Sequence, residues 1–301
     1  MDEIDGRPDA VLVAGPTASG KSALALRLAE RLGGAVVNAD SMQVYDVLRI
    51  VTARPTREDE GLVPHRLYGV VAPGAAMSAA RYSDMASNVL AELREQGTMP
   101  IFVGGTGLYF KALEAGLSPI PEVLPSVRRA VRSMNASELA SCLGREDPEA
   151  AAVLRPSDTQ RLARALEVVR STGRSLVRWQ SQSVPGPLAG LRLRRILLMP
   201  ERSVLHSRIE RRAAAIVADP AAHAEVRELL AMDPHMRSSA AKAIGVSQIC
   251  ALIHNTTTPD EAASQLATAT RRYAKRQYTW FNNSLNGEWE LRTEPGEEAQ
   301  R

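Results

Sequence analysis

The stretch Ala10-Val-Leu-Val-Ala14-Gly15-Pro-Thr-Ala-Ser-Gly20-Lys21-Ser22-Ala-Leu-Ala-Leu-Arg-Leu-Ala-Glu-Arg-Leu32 passes from an apolar run, through a glycine-bounded loop, into a helical pattern. Ala10–Ala14 is too short for a helix and stops at Gly-Pro, which reads as a buried strand. Ser22–Leu32 repeats apolar residues at Leu24, Leu28 and Leu32 and ends at Gly33-Gly34, which reads as a helix. Between them Gly15, Pro16, Thr17, Ala18, Ser19, Gly20, Lys21 and Ser22 match GxxxxGK[ST] in the strand-to-helix setting that makes the pattern a phosphate-binding loop. Its backbone N–H groups and the helix N-terminus favour an anion. Lys21 is placed to reach an outer phosphate, and the Ser22 hydroxyl to hold Mg²⁺.

Outward from this loop, further short apolar runs follow at Ala35–Asn38, Met99–Val103 and Arg195–Met199. Helical patterns separate and follow them at 79–96, 203–219, 221–232 and 259–282. Short apolar strands alternating with amphipathic helices imply an α/β fold, a parallel sheet flanked by helices. From about Pro119 to Gly190 only helical patterns occur, over 123–134, 137–142 and 158–171. Proline-rich joints flank them, Ser118-Pro-Ile-Pro and Val184-Pro-Gly-Pro. The expected organisation is a P-loop NTPase-like core over 1–118 and 191–301, the latter part carrying C-terminal helices, with an all-helical insertion domain over 119–190.

The 301 residues are 45% hydrophobic and 24% charged, which excludes collagenous, disordered and disulfide-stapled chains. No apolar run approaches the roughly 18–20 residues of a membrane span, and the acid-rich start lacks the apolar core of a secretory signal. No membrane association and a cytoplasmic location are therefore expected. Cys142 and Cys250, without CxxC or metal-ligand spacing, are expected to be buried free thiols of a reducing compartment. The net charge of +3 is too small to establish a polyanionic partner, but the cations are unevenly placed. Residues 128–178 hold ten arginines against six acids, and 264–287 hold no acid while Arg271, Arg272, Lys275 and Arg276 cluster beside Tyr273, Tyr278, Trp280 and Phe281. Basic residues interleaved with aromatics suit RNA, although Trp280 and Phe281 at helical spacing favour core packing.

What the loop holds is not fixed by the loop. An NTP-hydrolysing enzyme needs a strand-end acid for Mg²⁺ near the γ-phosphate, yet Ile101-Phe102-Val103 runs into Gly-Gly-Thr and Met199-Pro200 offers only Glu201. The acid at a strand end is Asp40, in Asn38-Ala39-Asp40-Ser41-Met42-Gln43-Val44-Tyr45. In an open α/β sheet, ligands bind beyond the carboxyl ends of the strands, so Asp40 is placed as a general base beside the loop; the competing reading is a solvated turn aspartate.

These residues resemble the bacterial tRNA dimethylallyltransferases (tRNA isopentenyltransferases, the IPP transferase family). The resemblance is carried by GPTASGKS at 15–22, NADSMQVY at 38–45, TARP at 52–55, PHRLYG at 64–69, VGGTGLYFKAL at 103–113, RPSDTQRLARALEV at 155–168 and AKRQYTWF at 274–281. It covers about residues 10 to 282. It implies transfer of a dimethylallyl group from dimethylallyl diphosphate to N6 of adenosine 37, beside the tRNA anticodon, with release of diphosphate and with Mg²⁺ as cofactor. The phosphate loop then cradles a leaving diphosphate rather than a nucleotide, Lys21 stabilises its charge, and Asp40 takes the amine proton. Thr106 matches a threonine near the reacting centre. Arg208 and Arg212, one turn apart, are implied diphosphate ligands; a solvated face paired with Glu210 is the alternative.

Within the resemblance, tRNA contacts are assigned to Asp40, Ser41, Met42, Gln43, Thr106, Arg128, Gln160, Arg161, Leu162, Ala163 and Arg164; the basic tail adds Lys275 and Arg276. The partners expected are thus the tRNA anticodon stem-loop and dimethylallyl diphosphate, with the chain acting as a monomer. One departure stands out: Ser247 occupies a position at which many relatives carry arginine. A small-molecule P-loop kinase, an AMP-prenylating transferase and a non-catalytic RNA-binding module remain as alternatives. The kinase lacks its second acid, a free nucleotide has no need of a basic insertion, and an RNA-binding module has no use for Asp40 beside a phosphate loop.

Overall fold

The computed structural model of the chain describes residues 6–182, 184–285 and 287–294. They divide into two compact units, one over 114–186 and one containing everything else.

The larger unit is built on a six-stranded sheet, β1 (Ala10–Ala14), β2 (Gly34–Asn38), β3 (His65–Arg66), β4 (Met99–Gly104), β5 (Leu193–Leu198) and β6 (Glu290–Arg292). The strand order is β3-β2-β4-β1-β5-β6 and every pairing is parallel. β1, β2 and β4 are buried at every position, as expected of parallel strands covered on both faces. Alternate residues serve the two faces. Val11, Val13, Val36, Ile101 and Val103 pack against Leu24 and Leu28 of the helix Lys21–Leu32. Leu12, Val37 and Phe102 pack against Tyr82, Ala86 and Leu93 of the helix Ala79–Glu95, and against Phe110 and Phe281.

A third apolar cluster joins the helices Arg202–Ala218, Pro220–Met232, Val246–Ile253 and Pro259–Ser284 through Ile209, Val226, Ile249 and Leu266. Val44, Tyr45 and Leu48, from the loop after β2, enter the same cluster. Phe281 is buried and Trp280 partly buried, so both belong to cores, as their spacing suggested.

The smaller unit is helical: Pro125–Arg132, Ala136–Glu146, Pro148–Val153, Thr159–Thr172 and Leu176–Gln180. Val131, Leu139, Leu143, Leu162 and Leu166 form its core, and an antiparallel bridge between Leu117 and Val184 ties its ends. Its limits, 114 and 186, fall ahead of the 119 and 190 expected from the proline joints. Leu188 belongs to the sheet unit, where it is 1% exposed and its N–H bonds to the Leu113 carbonyl at 2.9 Å. Local composition marked the prolines, but packing sets the limits. β3 and β6 were also unexpected, since strands of two or three residues have no periodicity to read.

Both cysteines are free thiols, but half-buried rather than buried. Among the described residues no helix is long and apolar enough to cross a membrane.

The tightest point of the sheet unit is Gly104, where an added Cβ would lie 2.0 Å from the Ala39 carbonyl oxygen. Gly104→Ala is therefore expected to destabilise the fold by about 3 kcal/mol, the upper end of overpacking costs. Urea unfolding followed by circular dichroism measures it; a change below about 1 kcal/mol would show that the two backbone segments can separate there.

Candidate active site

Each candidate residue of the sheet unit stands at the carboxyl end of a strand or on a helix packed against those ends. After β1 the chain turns through Gly15–Gly20 and enters the helix from Gly20, whose φ of 95° suits glycine. Ala18 also has positive φ, at 63°, an uncommon and strained conformation for a side-chain-bearing residue. The Ser19 hydroxyl is fully buried without a hydrogen-bond partner.

Cations converge on this loop. The Lys21 ammonium donates to the Pro16 carbonyl at 3.2 Å, Arg208 to the Ser19 carbonyl at 2.9 Å, and Arg212 to the Thr17 hydroxyl at 3.2 Å. Both arginines of the helix Arg202–Ala218 thus turn toward the cradle. Glu210, the alternative partner, is exposed and pairs with Arg271 at 2.8 Å. Burial pushes the Lys21 pKa down to about 8, an effect that attraction by Asp40 opposes and repulsion from Arg212 reinforces. Burial also lowers the Arg212 pKa. An anion bound among these groups would restore their preference for the charged form.

Asp40 follows β2 and is held by its neighbours. The Asp40 N–H donates to the side-chain carbonyl of Asn38 at 2.8 Å, and the Asn38 amide donates to the Asp40 and Leu67 carbonyls at 3.0 Å each. Asn38 is wholly buried, and the Tyr82 hydroxyl donates to its backbone carbonyl at 2.9 Å. Asp40 Oδ1 accepts the Met42 N–H at 2.9 Å, closing a turn, while Oδ2 has no hydrogen-bond partner among the described residues. The turn reading and the base reading are therefore compatible, one oxygen serving each.

Thr106 follows β4, which lies between β1 and β2. Its hydroxyl accepts the Ser41 N–H at 2.9 Å and donates to the Ser41 hydroxyl at 3.3 Å. It thus pins the Asp40 loop to the neighbouring strand. Ser41 and Met42 line the same cavity as Asp40. Gln43 instead donates to the Thr52 and Ala53 carbonyls, at 2.9 Å each, and shapes the loop that follows.

These strand ends open on a cavity of about 240 Å³, lined entirely by the sheet unit. Thr17, Asp40 and Arg212 contribute to its polar part; Val51, Ile209, Ile216 and Leu266 form an apolar wall. Asp40 is the single carboxylate in the lining, and Lys242, Tyr273 and Arg276 also border it. The Arg276 guanidinium stands 5.5 Å from the Tyr273 ring. Burial and the Asp40 charge raise the pKa of the Tyr273 phenol, and the neighbouring Thr106 works against the shift. A second hollow, lined by Arg202, His206, Arg271, Arg272 and Lys275, lies between the helix Arg202–Ala218 and the last helix.

Among the described residues no cluster of three or more His, Cys, Asp or Glu could cage a metal. Ser22 stands exposed on the first turn of the loop helix. A Mg²⁺ ion here would take its remaining ligands from phosphate oxygens and water, the usual habit of this hard cation.

The other candidates belong to the helical unit. Arg128 and Gln160 are exposed, and Arg161 is exposed and bonded only to its helix-cap neighbour Asp158, at 3.3 Å. Arg164 is half-buried beside Glu167, which is 1% exposed and bound by Arg132 at 2.6 Å. Leu162 and Ala163, expected to contact RNA, are buried in the core of this unit; their side chains hold the helix in place. The motif spans a full helical turn, and only the outward part of a turn can meet a ligand.

The sequence reading assigned no site role to Asn38 or Gln277, and placed Tyr273 only in a basic and aromatic strip suited to RNA. Asn38 left a signal, a polar residue closing an apolar strand. Gln277 left none, for its partners Thr17 and Gly105 lie far away along the chain.

The IPP transferase family model matches residues 43–284. The chain is 48% identical over 294 residues to a tRNA dimethylallyltransferase of Allorhizobium ampelinum, covering 96% of each. It is 48% identical over 297 residues to that of Rhizobium johnstonii, covering 97% of this chain and all of the relative. Among solved structures, a tRNA isopentenylpyrophosphate transferase from Bacillus halodurans aligns with TM-score 0.66 at 33% identity, over 95% of this chain and 90% of that one. A eukaryotic dimethylallyltransferase acting on tRNA aligns with TM-score 0.78 at 23% identity, over 94% of this chain and 73% of that one, a likeness of fold.

The depressed Lys21 pKa gives the cradle a pH signature. A diphosphate held by Lys21 would need the ammonium form, so above pH 8 its binding would first have to restore a proton. Affinity for inorganic pyrophosphate is expected to fall by about tenfold per pH unit beyond the ligand's own titration. Calorimetry from pH 7 to 9.5, with Lys21→Met as the reference, measures it; parallel curves for the two proteins would remove Lys21 from the binding.

Proposed function

The chain belongs to the IPP transferase family, and we propose that it transfers a dimethylallyl group from dimethylallyl diphosphate to N6 of adenosine 37 in tRNA, releasing diphosphate. The observation that carries this reading is a single cavity lined both by the Asp40 carboxylate and by Thr17 and Arg212 of the phosphate cradle. The relatives named tRNA dimethylallyltransferase support the choice of substrates.

The arrangement fits the chemistry step by step. As the allylic C–O bond breaks, negative charge gathers on the departing diphosphate. Lys21, Arg208 and Arg212 already converge on the loop that would hold it, so little reorganisation is needed as that charge develops. Mg²⁺ held by Ser22 would neutralise part of the same charge. The adenine amine is a weak nucleophile and loses a proton as the C–N bond forms; the free Oδ2 of Asp40 accepts it. Thr106 keeps Asp40 in register by holding Ser41.

The adenine must first leave its stack in the anticodon loop. Lys275 and Arg276 on the sheet unit, and separately Arg128, Gln160 and Arg161 on the helical unit, supply exposed groups for the tRNA backbone.

Labelled dimethylallyl diphosphate incubated with tRNA or AMP, with and without ATP, tests the reading. Label on tRNA alone, independent of ATP, is expected; label on AMP, or a requirement for ATP, overturns it. Asp40→Ala is expected to lower kcat by about a hundredfold, as loss of a general base does, with tRNA affinity retained; an unchanged kcat would exclude Asp40 as the base. Arg161→Ala is expected to weaken tRNA binding and to reduce its salt dependence by about one counterion. Equal binding at all salt concentrations would return Arg161 to its pairing with Asp158.

A further inference from the structure

Gln277 lies on the last helix, Pro259–Ser284, and is 5% exposed. Its side-chain carbonyl accepts the Thr17 N–H at 2.9 Å, and its amide donates to the Gly105 carbonyl at 2.9 Å. Thr17 belongs to the phosphate cradle and touches Arg212. Gly105 precedes Thr106, which holds the residue beside Asp40. One buried amide therefore joins the two halves of the site.

The chemistry of the group matters. A primary amide is neutral, accepts at one end and donates at the other, so it satisfies a backbone N–H and a backbone carbonyl without bringing a charge into a site that binds diphosphate. A shorter or one-sided group would leave one of those buried backbone groups without its partner, at a cost in free energy.

We propose that Gln277 is a positioning residue, whose amide fixes the separation between the leaving-group cradle and the Thr106–Asp40 edge. The proposal rests on the transfer reaction proposed above. Reacting atoms must sit within about 3–3.5 Å, and a misplacement of about 1 Å costs on the order of a hundredfold in rate. Gln277 touches neither reacting atom; its effect is on the distance between them.

Two variants test this in the full chain. Gln277→Ala is expected to lower kcat by about thirtyfold or more, with KM for both substrates within about threefold, because each half of the site still binds its own ligand. Gln277→Glu supplies a signature that packing alone would not. Its ionised carboxylate accepts from Thr17 but repels the Gly105 carbonyl. The protonated acid accepts and donates as the amide does. Activity relative to wild type should therefore rise as the pH falls, through a pKa that burial shifts upward.

Lys21 and Asp40 at the strand ends, Arg208 and Arg212 on the facing helix, and Lys275 and Arg276 on the same helix are common to both proteins, so the ratio isolates position 277. A Gln277→Ala kcat within twofold of wild type overturns the proposal. So does a Gln277→Glu ratio that stays flat with pH, and this second test holds even if the alanine variant does not fold. Wild-type protein that prenylates no tRNA would overturn both this proposal and the function it rests on. Active wild type with indifferent variants overturns this proposal alone.

Discussion

The parallel hydrogen-bond ladder through β2, β4 and β1 is the constraint on which the site depends. Strands in such a ladder lie about 4.8 Å apart, so the loop after β1 and the loop after β2, with β4 between them, are held about 10 Å apart. In the proposed reaction that gap would separate the leaving diphosphate on one side from the Asp40 base on the other. β4 narrows the tolerance further. Gly104 lets the Ala39 backbone approach more closely than any side chain would allow, and Thr106 then ties the Asp40 loop across.

Around this frame, cations gather on the loop after β1. Lys21, Arg208 and Arg212 converge on the loop that follows β1, while one carboxylate, Asp40, lines the cavity beside it. A phosphoryl-transfer enzyme of the same architecture needs its acid to hold Mg²⁺ beside a γ-phosphate. Here Asp40 is spent on a turn with one oxygen and left open on the other. In the proposed reaction the one carboxylate of the cavity would serve an alkyl transfer on the same fold, since chemistry belongs to sites and not to folds.

Much of this was legible locally. The sheet class, the cradle from Gly15 to Ser22, Asp40 and the helical character of the insertion all follow from short runs whose period or spacing is set by neighbours in sequence. What escaped reading was set by partners far along the chain. Leu162 and Ala163 share a motif with Arg161 and Arg164, yet the turn they occupy buries them in the helical core. The insertion begins and ends where packing changes, not where prolines cluster. β3 and β6 are too short to announce themselves.

The sequence by itself determined the chemistry on offer: a strand–loop–helix that cradles phosphate, an acid at a strand end, and basic stretches suited to RNA. Those properties reside in adjacent residues, so the chain order is enough to state them. Only the tertiary structure decided which groups meet. β5 pairs with β1 across some 180 intervening residues, bringing the helix that carries Arg208 and Arg212 to the cradle, and the last helix brings Gln277 to both Thr17 and Gly105. Contacts so distant along the chain are fixed by the sheet order and by core packing, and neither leaves a mark in any local window of residues.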